Sequence, residues 1–246
     1  MSTAIIVSGS VRNMLNAANS WKFKGDYHLT IDRFSYFPQS NNISSDNVQE
    51  LKSIVDNSPI KFTSVNVCLD DRLVKTSAIP MAWKWKRAYY NLLPYQSVYN
   101  YSKVLLLRPD LYINPHSYEL DNFKINDNTI YSHSKLYLNK NDPTYPNALR
   151  STDLFLYMSM NMFNKLSDFY DYSIKHLGHG HEIHSLLAKF MIENDIEMND
   201  DMKNLCDVIV LRDLSNHMFE NGLLKEEYSF TDIVNSTYQW WTEKYK

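Results

Sequence analysis

Two short segments carry residue types that suit phosphate and sugar chemistry. The first is Arg108-Pro109-Asp110, which follows the apolar run Val104–Leu107. A short apolar run ended by a turn signal is the pattern of a strand buried on both faces. Pro109 cannot donate to a ladder and disfavours helix at Arg108, so the strand breaks there. That leaves Arg108 and Asp110 at the carboxyl end of a central strand, where open α/β sheets bind ligands. An Arg suits a phosphate, and an Asp suits a metal ion or a sugar hydroxyl. The same pair also suits a salt-bridged strand end. The second segment is Ser8-Gly9-Ser10-Val11-Arg12, after the apolar stretch Ala4–Val7. A strand, a small-residue turn and a helix open many nucleotide-binding folds. Ser8, Gly9 and Ser10 let a base or ribose approach the backbone, and Arg12 can meet a diphosphate bidentately. A plain turn with a surface Arg is the alternative.

A third segment, from His176 to His184, holds four histidines within nine positions together with Glu182. Zinc is disfavoured because Gly178 splits the group and no cysteine lies near. One histidine, His181, joining Asp110 on a divalent ion fits better. Glu182 falls in the first turn of the helix that follows, where the helix dipole suits a carboxylate. It serves there as a general base or only as a helix-end charge.

Bulk properties exclude several classes. A chain of 246 residues forms one large domain or one domain with an appendage. A net charge of −3 gives no global attraction to nucleic acid or anionic lipid. Cys68 and Cys206 are far apart and have no metal or redox spacing, which implies a reduced, cytoplasmic protein. The N-terminal apolar stretch is too short for a signal peptide, and no run is long enough to span a membrane. With only 5 Gly, the chain has no Walker or dinucleotide fingerprint. Heavy use of Tyr, Asn and Lys fits an AT-rich genome such as many phages carry.

The elements that must position these groups follow from periodicity. Strands are expected at Ala4–Val7, Asp26–Phe34, Ile60–Val67, Val104–Leu107, Thr129–His133, Asp153–Met158 and Cys206–Leu211. The second alternates Tyr27, Leu29 and Ile31 with His28, Thr30 and Asp32, which places it near a sheet edge or cleft. Helices are expected at Met14–Trp21, from Asp46 to Val55, at Met81–Leu93 closed by Pro94, from Ser159 to Gly178, at Ile183–Ile192 and at Thr231–Tyr245. In the 81–93 helix one Trp belongs in the core and the Lys residues belong in solvent. Ser134–Thr152 is a long polar loop, either an acceptor-binding lid or a surface excursion. Asp195–Asn204 is acidic and polar. Val-Ile-Val-Leu-Arg-Asp at 208–213 echoes Val-Leu-Leu-Leu-Arg-Pro-Asp without establishing a repeat.

Four features in this order resemble a known family. They are Ile5-Ile6-Val7-Ser8-Gly9-Ser10-Val11-Arg12-Asn13, the 81–93 helix, the 104–113 segment with Arg108-Pro109-Asp110, and the 151–166 segment followed by Glu182. Together they resemble the small GT-A-type glycosyltransferases related to bacterial lipopolysaccharide-synthesis (WavE-like) transferases and to phage and viral ones. The resemblance spans roughly residues 3–195. It implies an α/β fold, a single GT-A-like (Rossmann-like) domain over 1–246 with a mostly parallel central sheet flanked by helices. Residues 1–113 would form the nucleotide-sugar-binding half, and 114–246 the acceptor-binding half with a helical tail. Asp110 corresponds to the last acid of the family's D-x-D motif, which holds a divalent ion, Mn or Mg, against the donor diphosphate. Arg108 departs from that two-acid pattern, and an always-charged Arg can neutralise a diphosphate itself. The resemblance places Ser8, Gly9 and Arg12 at the nucleotide, and the expected donor-binding set adds Ser10, Asp32, Arg108 and Asp110 to them.

The implied reaction moves a sugar from a nucleotide-sugar donor to an acceptor hydroxyl. A glycan and a hydroxymethylated DNA base of a phage are both open as acceptors. Glu182 and then Asp153 are the candidate bases. The competing classes are a non-catalytic nucleotide-binding α/β module and a metal-dependent hydrolase built on the histidines. No integral membrane association is expected, and the expected location is the cytoplasm, the host's if the chain is phage-encoded.

Overall fold

A computed structural model describes residues 2–9, 14–32, 52–68, 78–115, 120, 123–133, 137–138, 149–150, 152–176 and 183–210. The central strands are β1 (Ser2–Gly9), β2 (Asp26–Asp32), β3 (Phe62–Cys68), β4 (Tyr101–Leu107), β6 (Thr129–Tyr131), β9 (Phe155–Ser159) and β10 (Glu197–Asn199). They form a seven-stranded sheet in the order β10-β6-β9-β4-β1-β2-β3. β1 pairs parallel with β2 and β4, β2 with β3, and β10 with β6. β9 alone runs antiparallel to its neighbours β4 and β6. The fold is therefore α/β with a mostly parallel central sheet flanked by helices, as expected.

Alternation along the central strands separates two cores. Ala4, Ile6, Val104, Leu106, Leu156 and Met158 face one side. Helices α2 (Ala78–Tyr99), α3 (Met160–Ser167), α4 (Phe169–Lys175) and α5 (Ile183–Glu193) cover it with Trp85, Phe163, Phe169 and Phe190. Ile5, Val7, Leu105, Leu107, Phe155 and Tyr157 face the other side. There they meet α1 (Met14–Ala18) and a two-stranded antiparallel ribbon of β5 (Leu111–Pro115) and β11 (Cys206–Val210). The unbroken apolar run of β4 thus arises from double coverage: Val104 to Leu107 are all buried.

Several elements differ from the periodicity reading. Pro94 does not close its helix; α2 runs on to Tyr99. Pro94 lies on the exposed side, where water can satisfy the carbonyl that a missing N–H leaves unpaired. The real stop is Asn100, in a left-handed conformation (φ 49°), whose N–H bonds Gln96 O at 3.0 Å. Trp85 is in the core as expected, but Lys84 is buried and Lys86 is paired with Asp171 rather than solvated. The helix capped by Ser159 breaks at Asp168 into α3 and α4. The 134–152 segment contains a small pair, β7 (Tyr137–Leu138) with β8 (Leu149–Arg150). The polar 195–204 stretch hides β10, whose apolar signal is only Ile196 and Met198, both buried. β11 pairs with β5 and not with the β4 it echoes. The expected loop at 35–45, the start of the 46–55 helix and the 231–245 helix lie outside the described residues; 52–56 is helical.

The polar members of β2 are not waste. His28 and Thr30 are buried beneath α2. His28 Nδ1 lies 2.8 Å from Ser64 Oγ and Nε2 lies 3.2 Å from Tyr101 Oη. Tyr101 gives its only proton to Asp26 Oδ2 at 3.0 Å, so it accepts from His28 Nε2–H, and Ser64 donates to Nδ1. This is a neutral imidazole. Burial holds its pKa down at about 4 from a usual 6.5, with Asp26 opposing. The unfolded chain therefore takes a proton below pH 6.5 that the folded chain refuses until about pH 4. Stability should fall as pH drops through that interval, by on the order of 2 kcal/mol from this group after allowing for solvent screening. Denaturant unfolding at a series of pH values checks this. The His28→Gln chain should show a flatter slope across the interval than the wild type.

Candidate functional site

The sheet order creates one switch point. The chain leaves β1 toward β2 and β3, then returns to β4 on the other side of β1. Ligands in open α/β sheets bind beyond the carboxyl ends of the strands at such a point. The β1–β4 register pairs Val7 with Leu107, so Arg108-Pro109 leaves the sheet beside Ser8-Gly9, the last residues of β1. The two segments touch. A Cβ added at Gly9 would lie 2.8 Å from Pro109 Cδ, and Gly9 has φ +147°. Only glycine allows this approach without strain.

The corner itself is a β-turn. Leu111 N–H bonds Arg108 O at 3.2 Å, with Pro109 at the second position, which its fixed φ suits. The turn is held from both sides. Before it, β4 is locked between β1 and β9. After it, Trp21 Nε1 donates to Leu111 O at 2.8 Å, and Ile113 N–H donates to Ser20 Oγ at 2.9 Å. The turn that follows α1 thus anchors the start of β5.

Antiparallel pairing of β9 with β4 sets Phe155 against Leu107. Asp153 therefore stands beside Arg108 although 45 positions separate them in the chain. The guanidinium meets Asp110 through two parallel bonds: Nε to Oδ1 at 3.0 Å and Nη2 to Oδ2 at 2.8 Å. Its Nη1 lies 3.7 Å from Asp153 Oδ2. The Asp110 side chain is 3% exposed and that of Arg108 is 21% exposed. An incoming ligand thus meets the guanidinium before it meets the carboxylate. Asp153 Oδ1 and Ser8 Oγ are buried with no hydrogen-bond partner among the described residues. Buried polar atoms are normally satisfied, so these two stand out as exceptions.

The structure therefore brings together Ser8, Gly9, Arg108, Asp110 and Asp153. Asp32 closes β2 at the same end of the sheet, next to Gly9, which pairs with Ile31. Ser10, Arg12, His181 and Glu182 lie outside the described residues. Of the remaining histidines, His176 stacks on Tyr172 at 4.1 Å, with Nδ1 2.8 Å from the Tyr172 carbonyl. Among the described residues no group of three or more His, Cys, Asp and Glu is arranged to hold a metal ion. The close Arg108–Asp153 approach is what sequence spacing could not show; it needed the antiparallel return of β9.

No protein-family model matches the chain, and no curated protein matches it in sequence. Among solved structures, one similar chain is the galactosyltransferase LgtC, solved in complex with donor and acceptor sugar analogs. The identity is 11% and the TM-score 0.44, over 80% of this chain and 72% of that one. Among the described residues no helix is long and apolar enough to cross a membrane.

Two substitutions separate packing from ligand contact here. Gly9→Ala drives a methyl into Pro109 and should lower Tm by about 3–8 °C, from a strain of roughly 1–3 kcal/mol. Ser8→Ala removes a hydroxyl that no described group uses and should leave Tm within about 2 °C. Thermal denaturation of the two variants checks both.

Proposed function

We propose that this chain is a nucleotide-sugar-dependent glycosyltransferase whose donor diphosphate lies across the carboxyl ends of β1 and β4. The observation that carries this reading is the switch-point cluster. A tight glycine turn, a partly exposed guanidinium and two buried oxygens without a partner among the described residues converge at Ser8, Gly9, Arg108 and Asp153. The order of motifs that resembles the lipopolysaccharide-synthesis and phage glycosyltransferases supports the same assignment.

In this reaction the acceptor hydroxyl oxygen bonds to the anomeric carbon of the sugar. The bond from that carbon to the diphosphate oxygen breaks, and its electron pair leaves with the diphosphate. The transition state is oxocarbenium-like, and the departing diphosphate needs positive charge close by. Arg108 supplies that charge, with Arg12 the second candidate from the glycine turn. The acceptor proton goes to a carboxylate. Glu182 and Asp153 are the candidates, and the open Oδ1 of Asp153 is the lone pair the described residues offer. A glycan or a hydroxymethylated base of phage DNA would serve as acceptor, and the net charge does not choose between them.

One observation favours a second reading. The Arg108–Asp110 pair is already satisfied internally, which suits a binding module without chemistry. Release of free sugar separates the two, because a pure binder hydrolyses no donor.

A thermal-shift screen against a panel of nucleotide sugars should find at least one that raises Tm by mass action. Arg108→Ala should weaken that ligand by about 10- to 100-fold, the worth of one charge-assisted contact. Glu182→Gln or Asp153→Asn should lower sugar release with little change in donor binding, as expected for a group used in the transition state. A panel with no stabilising nucleotide sugar and no sugar release would overturn the assignment.

A further inference from the structure

The family resemblance calls for a divalent ion on Asp110, and the corner does not fit one. Carboxylate sites for Mg or Mn need oxygens open to the ion at about 2.1 Å. Both oxygens of Asp110 already accept from Arg108, at 3.0 and 2.8 Å. The guanidinium also lies on the solvent side, since its side chain is 21% exposed and that of Asp110 only 3%. An ion reaching Asp110 must first displace Arg108. The position between Asp110 and Asp153 is filled by a positive charge that the chain itself supplies, with Nη1 3.7 Å from Asp153 Oδ2.

We infer that Arg108 is the fixed cation of this site, standing in for a divalent metal, and that Asp110 and Asp153 hold that guanidinium rather than an ion. The fork-to-fork geometry fixes the plane of the guanidinium, so it is oriented before any ligand arrives. Arginine stays charged at any working pH, so this cation is neither lost to chelators nor titrated. Its role toward a diphosphate rests on the transferase reading above; its exclusion of a metal concerns the ligand-free chain alone. Among the described residues two carboxylates face one guanidinium, so deleting it leaves two acids with no described cation between them. That deletion should turn the corner into a metal site.

Manganese titration of the chelator-stripped full chain, followed by the electron-spin resonance of free Mn²⁺, tests this directly. Wild type and Asp110→Asn should bind Mn²⁺ equally, within about twofold, because Asp110 is not a metal ligand. Arg108→Ala should bind it at least about tenfold more tightly than wild type, and the added change Asp110→Asn should remove the gain. Arg108→Met fills more of the vacated space and serves as the second variant should the Ala chain not fold. A wild-type site of one Mn²⁺ per chain that Asp110→Asn abolishes would overturn the inference without needing either Arg108 variant. A folded Arg108 variant with wild-type affinity would overturn it too, since the acids would then not converge. Sugar release by wild type should be unchanged in excess chelator; release that needs manganese overturns the inference while sustaining the transferase. No release from any nucleotide sugar defeats the transferase reading and leaves the metal titration to decide this one.

Discussion

The pairing of β1 with β4 is the constraint on which the site depends. Its register makes Val7 against Leu107 the last rung the two strands share. Past it β4 turns away at Arg108-Pro109, while Ser8 and Gly9 continue beside it, paired to Thr30 and Ile31 of β2. Glycine at position 9 is what lets them stay in contact there, because any side chain would strike the ring of Pro109. The cost of a left-handed residue is offset by the parallel ladders on both sides of β1, whose interior is buried from Thr3 to Ser8. The apolar core and the polar corner are consequences of one register: a slip of one residue would send Ile5 and Val7 to the helix side and part Ser8 from Arg108.

β9 supplies the second half of the geometry by running the other way. A parallel strand beside β4 would bring its end to the switch point and carry its start to the far edge. An antiparallel one brings its start, so Asp153 arrives beside Arg108 while Ser159, at the other end, caps α3 through the Met162 N–H at 3.1 Å. One short strand thus places a carboxylate at one end of the sheet and launches a core helix at the other. The pairing of Arg108 with Asp110 is local in sequence, but its approach to Asp153 exists only because of this reversal.

Much of the fold was legible because burial on both faces leaves an unambiguous signature. Ala4–Val7, Val104–Leu107 and Leu154–Met158 are continuous apolar runs, and each overlaps a central strand. What was illegible follows from tertiary context. β10 is three residues long and shows only two buried apolar side chains at and beside it, too few for a period. Pro94 reads as a stop because the local penalty is real, yet it falls on the solvent face, where the freed carbonyl has water. His28 and Thr30 read as the polar half of a strand near an edge, and β2 is indeed next to the edge strand β3. Their burial depends on α2 lying over them, and His28 is satisfied by Ser64 and Tyr101 arriving from β3 and β4. No feature of residues 26–32 announces those partners.

The site shows the same division. That Arg108 and Asp110 stand at a strand end follows from composition and a proline. That the two are bonded to each other does not, and it changes the chemistry. An acid with open oxygens recruits an ion; the same acid already bridged by a guanidinium orients a cation it cannot exchange. A buried pair of this kind is seldom a source of stability, because desolvating both charges costs about as much as their attraction returns. Stability therefore gives no reason to keep such a pair at the mouth of the sheet. Its partial exposure on the arginine side, beside a serine hydroxyl and a carboxylate oxygen with no partner among the described residues, is what the proposed donor-binding role would use.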